Sequence, residues 1–289
     1  MVEPIPRVLS IQSSVVHGYV GNKACMFPLQ LLGFDVSPIN TVQLSNHTGY
    51  KSWTGHQFPG AHLEQLIKGL KDNNVLTFDY ILTGYIGTVG FIESLSSLLP
   101  ELKSNNSVQY ICDPVMGDGG KLYVPSEFVG IYRDKILPFA DIVLPNQTEA
   151  ELLTGLSIKC SADASRACRI LHEIGPKIVI ITSLHFPSNE NIIEIFASSK
   201  TDGQHRFWVD LIPGYYVGTG DLIAALLLAW IHVHPVMQAI PLALSTLRQI
   251  LRRTQASGNM ELCLIQSKAD IMNPHDLESV NVEAYSEAK

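Results

Sequence analysis

Paired cysteines, long apolar runs and basic blocks are all scarce in this chain, and each scarcity removes a class of function. The five cysteines, Cys25, Cys112, Cys160, Cys168 and Cys263, are odd in number and include no Cys-x-x-Cys pair. A disulfide framework and a structural zinc site are therefore poorly supported, and a reducing, cytoplasmic setting fits better. The longest apolar stretch, residues 222–233, is interrupted at His232 and is too short to cross a bilayer. It reads as a buried helix, and no membrane partner is expected. Residues 1–7 carry two prolines and no apolar h-region, so no secretory leader is expected. Formal net charge is −7 without a long basic run, which argues against nucleic acid as a partner. No Gly-x-x-x-x-Gly-Lys-Ser/Thr loop, Gly-x-Ser-x-Gly elbow or zinc-hydrolase motif occurs. Gly218-x-Gly220 has Ile223 where a dinucleotide fingerprint needs a third glycine.

What remains is a chain of 289 residues, 46% hydrophobic and 16% charged, able to bury a large core. Strand-like runs at 8–11, 36–44, 80–82, 108–112, 142–144 and 178–181 alternate with helical periods at 21–32, 61–70, 91–102, 148–153 and 165–174. Pro28 is expected to kink the first helix. This alternation predicts an α/β fold with a largely parallel central sheet flanked by helices. After Thr182 the pattern changes: 191–197 and 205–211 read as antiparallel strands, followed by helices near 222–233 and 236–254. No linker or repeat divides the chain, so one domain over 1–289 is expected. The stretch 273–289 is acidic and weakly periodic and carries no assigned function.

Ligands of such sheets bind at the carboxyl ends of the strands. Polar or glycine-rich clusters fall at those ends six times: Gln12-Ser13, Ser45 to Gly49, Thr83-Gly84-Tyr85, Asp113 to Asp118, Asn146 to Glu149, and Thr182-Ser183. Asp113 and Asp118 leave a strand around a Pro and a Gly, which suits a hard cation or a turn with solvated acids. Asn146 and Glu149, three apart at a helix start, can hold metal-bound waters and phosphate oxygens or form a capping box. Thr182 and Ser183 offer hydroxyls to a phosphate or monovalent ion, or simply end a strand. His47, among glycine and hydroxyl residues, is expected to be a hydrogen-bonded structural imidazole.

Val217-Gly218-Thr219-Gly220-Asp221 stands directly before the long apolar helix. Two glycines let the backbone approach an anion, and a helix N-terminus offers unpaired N–H groups at a positive dipole end. A carboxylate there can take a proton from a hydroxyl attacking a phosphate, or act as an ordinary N-cap.

Gly218-Thr219-Gly220-Asp221 resembles the anion-hole and base motif of the ribokinase superfamily. With VLSIQSSVVHGYVG (8–21), FPLQLLG (27–33), QLSNHTGY (43–50), LTGY (82–85), CDPVMGD (112–118), PNQTEAEL (145–152) and VGTGDLIAA (217–225), the chain is similar to the pyridoxal kinase family, nearest its animal members, over about 7–270. The resemblance implies a ribokinase-like fold, a homodimer, and transfer of the ATP γ-phosphoryl group to the 5′-hydroxyl of pyridoxal, pyridoxine or pyridoxamine. It implies divalent and monovalent cations such as Mg²⁺ and K⁺. By motif, Asp221 would be the general base, with Gly218, Thr219 and Gly220 forming the anion hole. Ser13 and Thr48 would face the vitamer, with Val20, Tyr85 and Val217 as apolar walls. Asp113, Asp118, Asn146 and Glu149 would serve ATP phosphates and cations, Thr182 also a cation. Tyr123, Thr182, Ser183 and Thr219 would contact ATP, and Ile212, Pro213 and Gly214 would lie along the adenosine. Residues 117–120 and 45–56 are expected to be mobile covers. The loop after Asp118 and the segment 184–203 are shorter than in mammalian members. Ser14 and His17 differ from residues common beside the vitamer. Leu144 stands where those members often have Thr, which removes a side-chain ligand for the monovalent ion.

Overall fold

β-branched and apolar runs build the sheet, and the intervening amphipathic segments build the helices. The computed structural model describes residues 4–105, 107–187 and 189–286. The first half runs β1 (Arg7–Val15), α1 (Asn22–Leu31), β2 (Asp35–Leu44), β3 (Gly55–Gln57), α2 (Gly60–Asp72), β4 (Tyr80–Thr83), α3 (Val89–Leu102) and β5 (Gln109–Cys112). A short hairpin, β6 (Gly117–Asp118) and β7 (Lys121–Leu122), precedes α4 (Glu127–Ile131) and β8 (Ile142–Val143). Then follow α5 (Gln147–Thr154), α6 (Ser161–Ile174), β9 (Ile178–Leu184), β10 (Ile192–Ser199) and β11 (Gly203–Asp210). The chain ends with α7 (Thr219–Val233), α8 (Val236–Ser257), α9 (Lys268–Met272) and β12 (Asn281–Tyr285).

One ten-stranded sheet has the order β12-β11-β10-β9-β8-β5-β4-β1-β2-β3. The six central strands, from β9 to β2, pair in parallel, whereas β10, β11, β12 and the edge strand β3 pair antiparallel. This is the expected α/β architecture, with its antiparallel part mostly in the C-terminal half. Strand order reverses at β1, between β2 and β4, which makes the carboxyl end of β1 a topological switch point. The six polar clusters of the sequence fall one to each parallel strand, on that edge.

Alternation within the strands divides the core in two. Leu9 and Ile11 join one cluster with Leu63, Phe91 and Leu171 from α2, α3 and α6. Val8 joins the other with Leu29, Leu226 and Ile240 from α1, α7 and α8. Residues Leu222 to Ala229 of α7 are all buried, so the predicted apolar helix is a core element of the sheet's second face. Burial of each such leucine is worth roughly 1.5–3 kcal/mol. No helix among the described residues is long and apolar enough to cross a membrane.

Some local expectations are corrected. The segment 45–56 is not wholly a free cover, because Gly55 and His56 pair with Leu44 and Gln43. The weakly periodic end of the chain contains β12, paired with β11 from Trp208↔Asn281 to Gln204↔Tyr285. Residues 287–289 of that stretch, and residues 1–3 of the N-terminal one, lie outside the described residues.

Candidate active site

The turn before α7 is shaped by close backbone packing. Gly218 is the N-cap, in the left-handed region at φ 85°. A Cβ there would lie 2.0 Å from the Tyr19 carbonyl oxygen, so only glycine lets residues 18–21 cross the start of the helix. The ordinary N-cap reading of Asp221 therefore fails: Asp221 is the third residue of α7. Thr219, Gly220 and Asp221 occupy the first turn, whose N–H groups have no intrahelical partner. The Asp221 residue is partly open to solvent, but its carboxyl is enclosed, and burial pushes its pKa up to about 6. The Gly21 N–H bonded to it opposes that shift. Its backbone carbonyl accepts from the buried Cys25 Sγ at 2.9 Å.

Asp113, at the end of β5, is 7% exposed. Its Oδ2 lies 3.8 Å from where a Gly220 Cβ would stand, so it flanks the first turn of α7. Burial holds its carboxyl well above the usual range, and the charges of Glu149 and Asp221 push the same way. Glu149 is also raised, first by burial, against hydrogen bonds from the Asn146, Met116 and Gly117 N–H groups. Asn146 and Glu149 form the reciprocal capping box of α5. Both also reach the β6 turn: Asn146 Nδ2 donates to Gly117 O at 2.7 Å, and Met116 N donates to Glu149 Oε1 at 2.9 Å. The two readings of this pair are thus compatible.

Asp118 is exposed in the β6–β7 hairpin, unlike Asp113, so the two acids of one turn have different surroundings. Tyr123 is 60% exposed just beyond that hairpin, and its N–H donates to Met116 O at 2.7 Å. Thr182 and Ser183 are among the last residues of strand β9, half-buried, with the Thr182 hydroxyl donating to Pro145 O at 3.4 Å. Leu144 is 2% exposed in the core, so its side chain offers nothing to an ion. Ile212, Pro213 and Gly214 form the connection between β11 and α7, where Pro213 O accepts from Tyr216 Oη and Gln255 Nε2.

Beside this acidic corner lies an apolar one. Val20 packs with Val15, Val42 and Leu44, and Tyr85 and Val217 pack against them. The three predicted wall residues are therefore brought together. Val42 and Leu44 are additions that the alternation of β2 already carried. Ser13 is 7% exposed, and its Oγ would lie 2.4 Å from a Cβ on Gly21. Gln12 instead serves the scaffold, donating to Ser10 Oγ at 2.9 Å and Cys25 Sγ at 3.1 Å. Thr48 is exposed on the loop after β2. His47 accepts from Gly49 N–H at Nδ1 (3.2 Å), as a structural imidazole does.

Among the described residues, no group of three or more His, Cys, Asp and Glu side chains could hold a metal ion alone. The donor set is all oxygen. The Asp113 carboxyl, held above the usual range first by burial and then by the nearby Glu149 and Asp221, has two further carboxylates for neighbours, an oxygen donor set that suits a hard cation shared with water and phosphate.

A family model described as phosphomethylpyrimidine kinase matches residues 33–263. The chain is 48% identical to pyridoxal kinase of Arabidopsis thaliana over 285 residues, covering 93% of this chain and 92% of that one. It is 42% identical to pyridoxal kinase of Homo sapiens over 298 residues, covering 93% and 96%. Among solved structures, pyridoxal kinase from Leishmania donovani in complex with ADP and pyridoxamine matches with a TM-score of 0.87 at 36% identity, covering 93% of this chain and 96% of that chain. Near-complete coverage at this level of identity, on a sheet whose carboxyl edge gathers the expected acidic and apolar corners, leaves one assignment: the chain belongs to the pyridoxal kinase family.

Proposed function

We propose that the chain transfers the γ-phosphoryl group of ATP to the 5′-hydroxyl of pyridoxal, and also of pyridoxine and pyridoxamine, with Asp221 as general base. The observation that carries this reading is the enclosed Asp221 carboxyl, in the same first helical turn as the open N–H groups that follow Gly218, together with the apolar corner of Val20, Tyr85 and Val217. The bound ADP and pyridoxamine of the Leishmania relative support both substrate classes.

Phosphoryl transfer needs positioning and charge stabilisation rather than covalent help. Val20, Tyr85 and Val217 would hold the ring apolar-side, while Ser13 and Thr48 would supply polar contacts. Asp221 would take the hydroxyl proton as the oxygen attacks in line, and the N–H groups of Gly218, Thr219 and Gly220 would receive the negative charge developing on the phosphoryl oxygens. Tyr123, Asn146, Thr182, Ser183 and residues 212–214 would line the ATP side. Asp113, Asp118 and Glu149 would hold Mg²⁺, largely through water, and the Thr182 hydroxyl would face K⁺; such cations offset phosphate charge. Residues 117–120 would cover the phosphates, and loop 45–54 the vitamer, keeping water out. The whole chain would act as one kinase domain, as a cytoplasmic homodimer.

The direct test is incubation with ATP, Mg²⁺ and pyridoxal while aldehyde absorbance and ADP are followed. Hydroxymethylpyrimidine belongs in the assay as a competitor, given the description of the matching family model. ADP formation without change in pyridoxal would overturn the reading. Two further results are expected. Because the base must be unprotonated and burial raises its pKa to about 6, kcat/KM should fall as pH drops through that value. A pH–rate profile flat into the ordinary carboxylate range would contradict the role of Asp221. Ser13→Ala should weaken pyridoxal binding more than ATP binding, and equal losses in a titration of both ligands would place Ser13 elsewhere.

A further inference from the structure

We propose that Glu261, outside every motif of the site, is the positioning residue that clasps the two vitamer-side loops together and thereby sets vitamer affinity; this rests on the functional reading above. Its Oε2 accepts the Tyr19 N–H at 3.0 Å, and its Oε1 accepts the Tyr50 hydroxyl at 2.7 Å. The His47 Nε2 stands 3.2 Å from the same Oε1. Nδ1 of His47 accepts from Gly49, and its buried Nε2 lies beside this carboxylate without a hydrogen-bond partner, so Glu261 is the nearest charged group to it. One carboxylate thus gathers donors from 17–21 and from 45–50, the loops that carry Val20 and Thr48.

The fit is close. A Cβ on Gly18 would strike Glu261 Oε2 at 2.3 Å, so glycine there admits the carboxylate. The rings of His47 and Tyr50 pack beside it, tilted at 52° with centroids 4.7 Å apart. Glu261 itself is on a fixed mount. Gly258 ends α8 in the left-handed conformation, Leu262 and Leu264 are 1% and 0% exposed, and Cys263 N donates to Thr254 Oγ1 at 3.0 Å. The loops are the adjustable partners and Glu261 the anchor. Without it, the Tyr19 N–H and the Tyr50 hydroxyl lose a charged acceptor, and the buried His47 ring loses the carboxylate beside it.

The test compares wild type with Glu261→Ala, Glu261→Gln and Tyr50→Phe, measuring both KM values, kcat, melting temperature, and ADP formed per vitamer phosphorylated. Glu261→Ala should raise the KM for pyridoxal about ten-fold, with the KM for ATP nearly unchanged, because charge-assisted bonds to the loops are lost. ADP should also exceed phosphorylated vitamer, as looser loops admit water that takes the phosphoryl group to inorganic phosphate. Glu261→Gln, which keeps one acceptor oxygen, should restore most of the affinity, and Tyr50→Phe should show a smaller change of the same kind. A role in stability alone would lower kcat through the active fraction and leave both KM values and the ADP ratio untouched. That pattern in Glu261→Ala overturns the proposal. If that variant does not fold, an unchanged pyridoxal KM in both Glu261→Gln and Tyr50→Phe overturns it. Failure of wild type to phosphorylate pyridoxal would instead sink the functional reading, before any variant is compared.

Discussion

Asp221→Asn should cut kcat by roughly 10²–10⁴ while ATP still binds, the range that removal of a general base commonly produces. The amide is nearly the same shape as the carboxylate, and its oxygen can keep the hydrogen bond from Gly21 N–H. What disappears is the capacity to accept a proton from the attacking hydroxyl. A second readout separates this from damage to the fold. The Asp221 pKa, about 6 in the folded chain, lies above the unfolded value of about 4. Its folded form therefore holds the proton more tightly, and its contribution to stability falls as pH rises from the unfolded value through about 6. At neutral pH the ionised group, buried and held by one N–H, is a net burden. The amide removes that burden, so the melting temperature at neutral pH should hold or rise while turnover collapses. Near-normal kcat in a folded Asp221→Asn protein would remove the residue from the chemistry.

Gly218→Ala is the other substitution expected to be severe, for a steric reason rather than an electronic one. Its φ of 85° is strained for any L side chain, at a cost of about 1–3 kcal/mol. The added methyl would also lie 2.0 Å from a backbone oxygen, that of Tyr19, which cannot rotate away. Residues 18–21 must shift, and with them go Val20 from the apolar corner and the Gly21 N–H from Asp221. A displacement of about 1 Å at a reacting centre can cost about 10²-fold in rate, and a loss of that size is expected here with a lowered melting temperature. Gly220→Ala is the control for the fold. Its nearest neighbour is Asp113 Oδ2 at 3.8 Å, an ordinary contact, so it should melt near wild type. If Gly218→Ala matched wild type in turnover, the close crossing of residues 18–21 over α7 would have no catalytic meaning.

The sheet was legible because its signal is local. Each parallel strand is a short apolar run followed by a polar or glycine cluster, and six such runs with helices between them admit few arrangements. The region 127–139 was not legible, because a short helix passes into a wider π turn and a 3₁₀ turn, so no single period persists. β3 is three polar or glycine residues and β12 alternates over only five; the residues of both are mostly exposed, and pairing with a neighbour makes them strands. In the site, motif residues could be read but their surroundings could not. That Asp113 is buried and Asp118 exposed follows from a two-strand hairpin, not from their spacing. Cys25 and Glu261 meet the site through backbone and loop contacts with residues 196 and more than 200 positions away, which leave no trace in either local sequence.

The tail strand β12 has a consequence for anyone handling this protein. Its five residues sit outside β11, and Glu283 on it lies 3.4 Å from Arg206. A charged outermost ribbon discourages docking of stray chains, whereas a bare inner one invites it. Shortening the polypeptide before residue 281 would uncover a row of unmet amide and carbonyl groups on β11, beside Phe207 and Val209. A chain cut there is expected to aggregate more readily than the intact one, which light scattering of the two proteins would show, and tags belong after β12 rather than in its place.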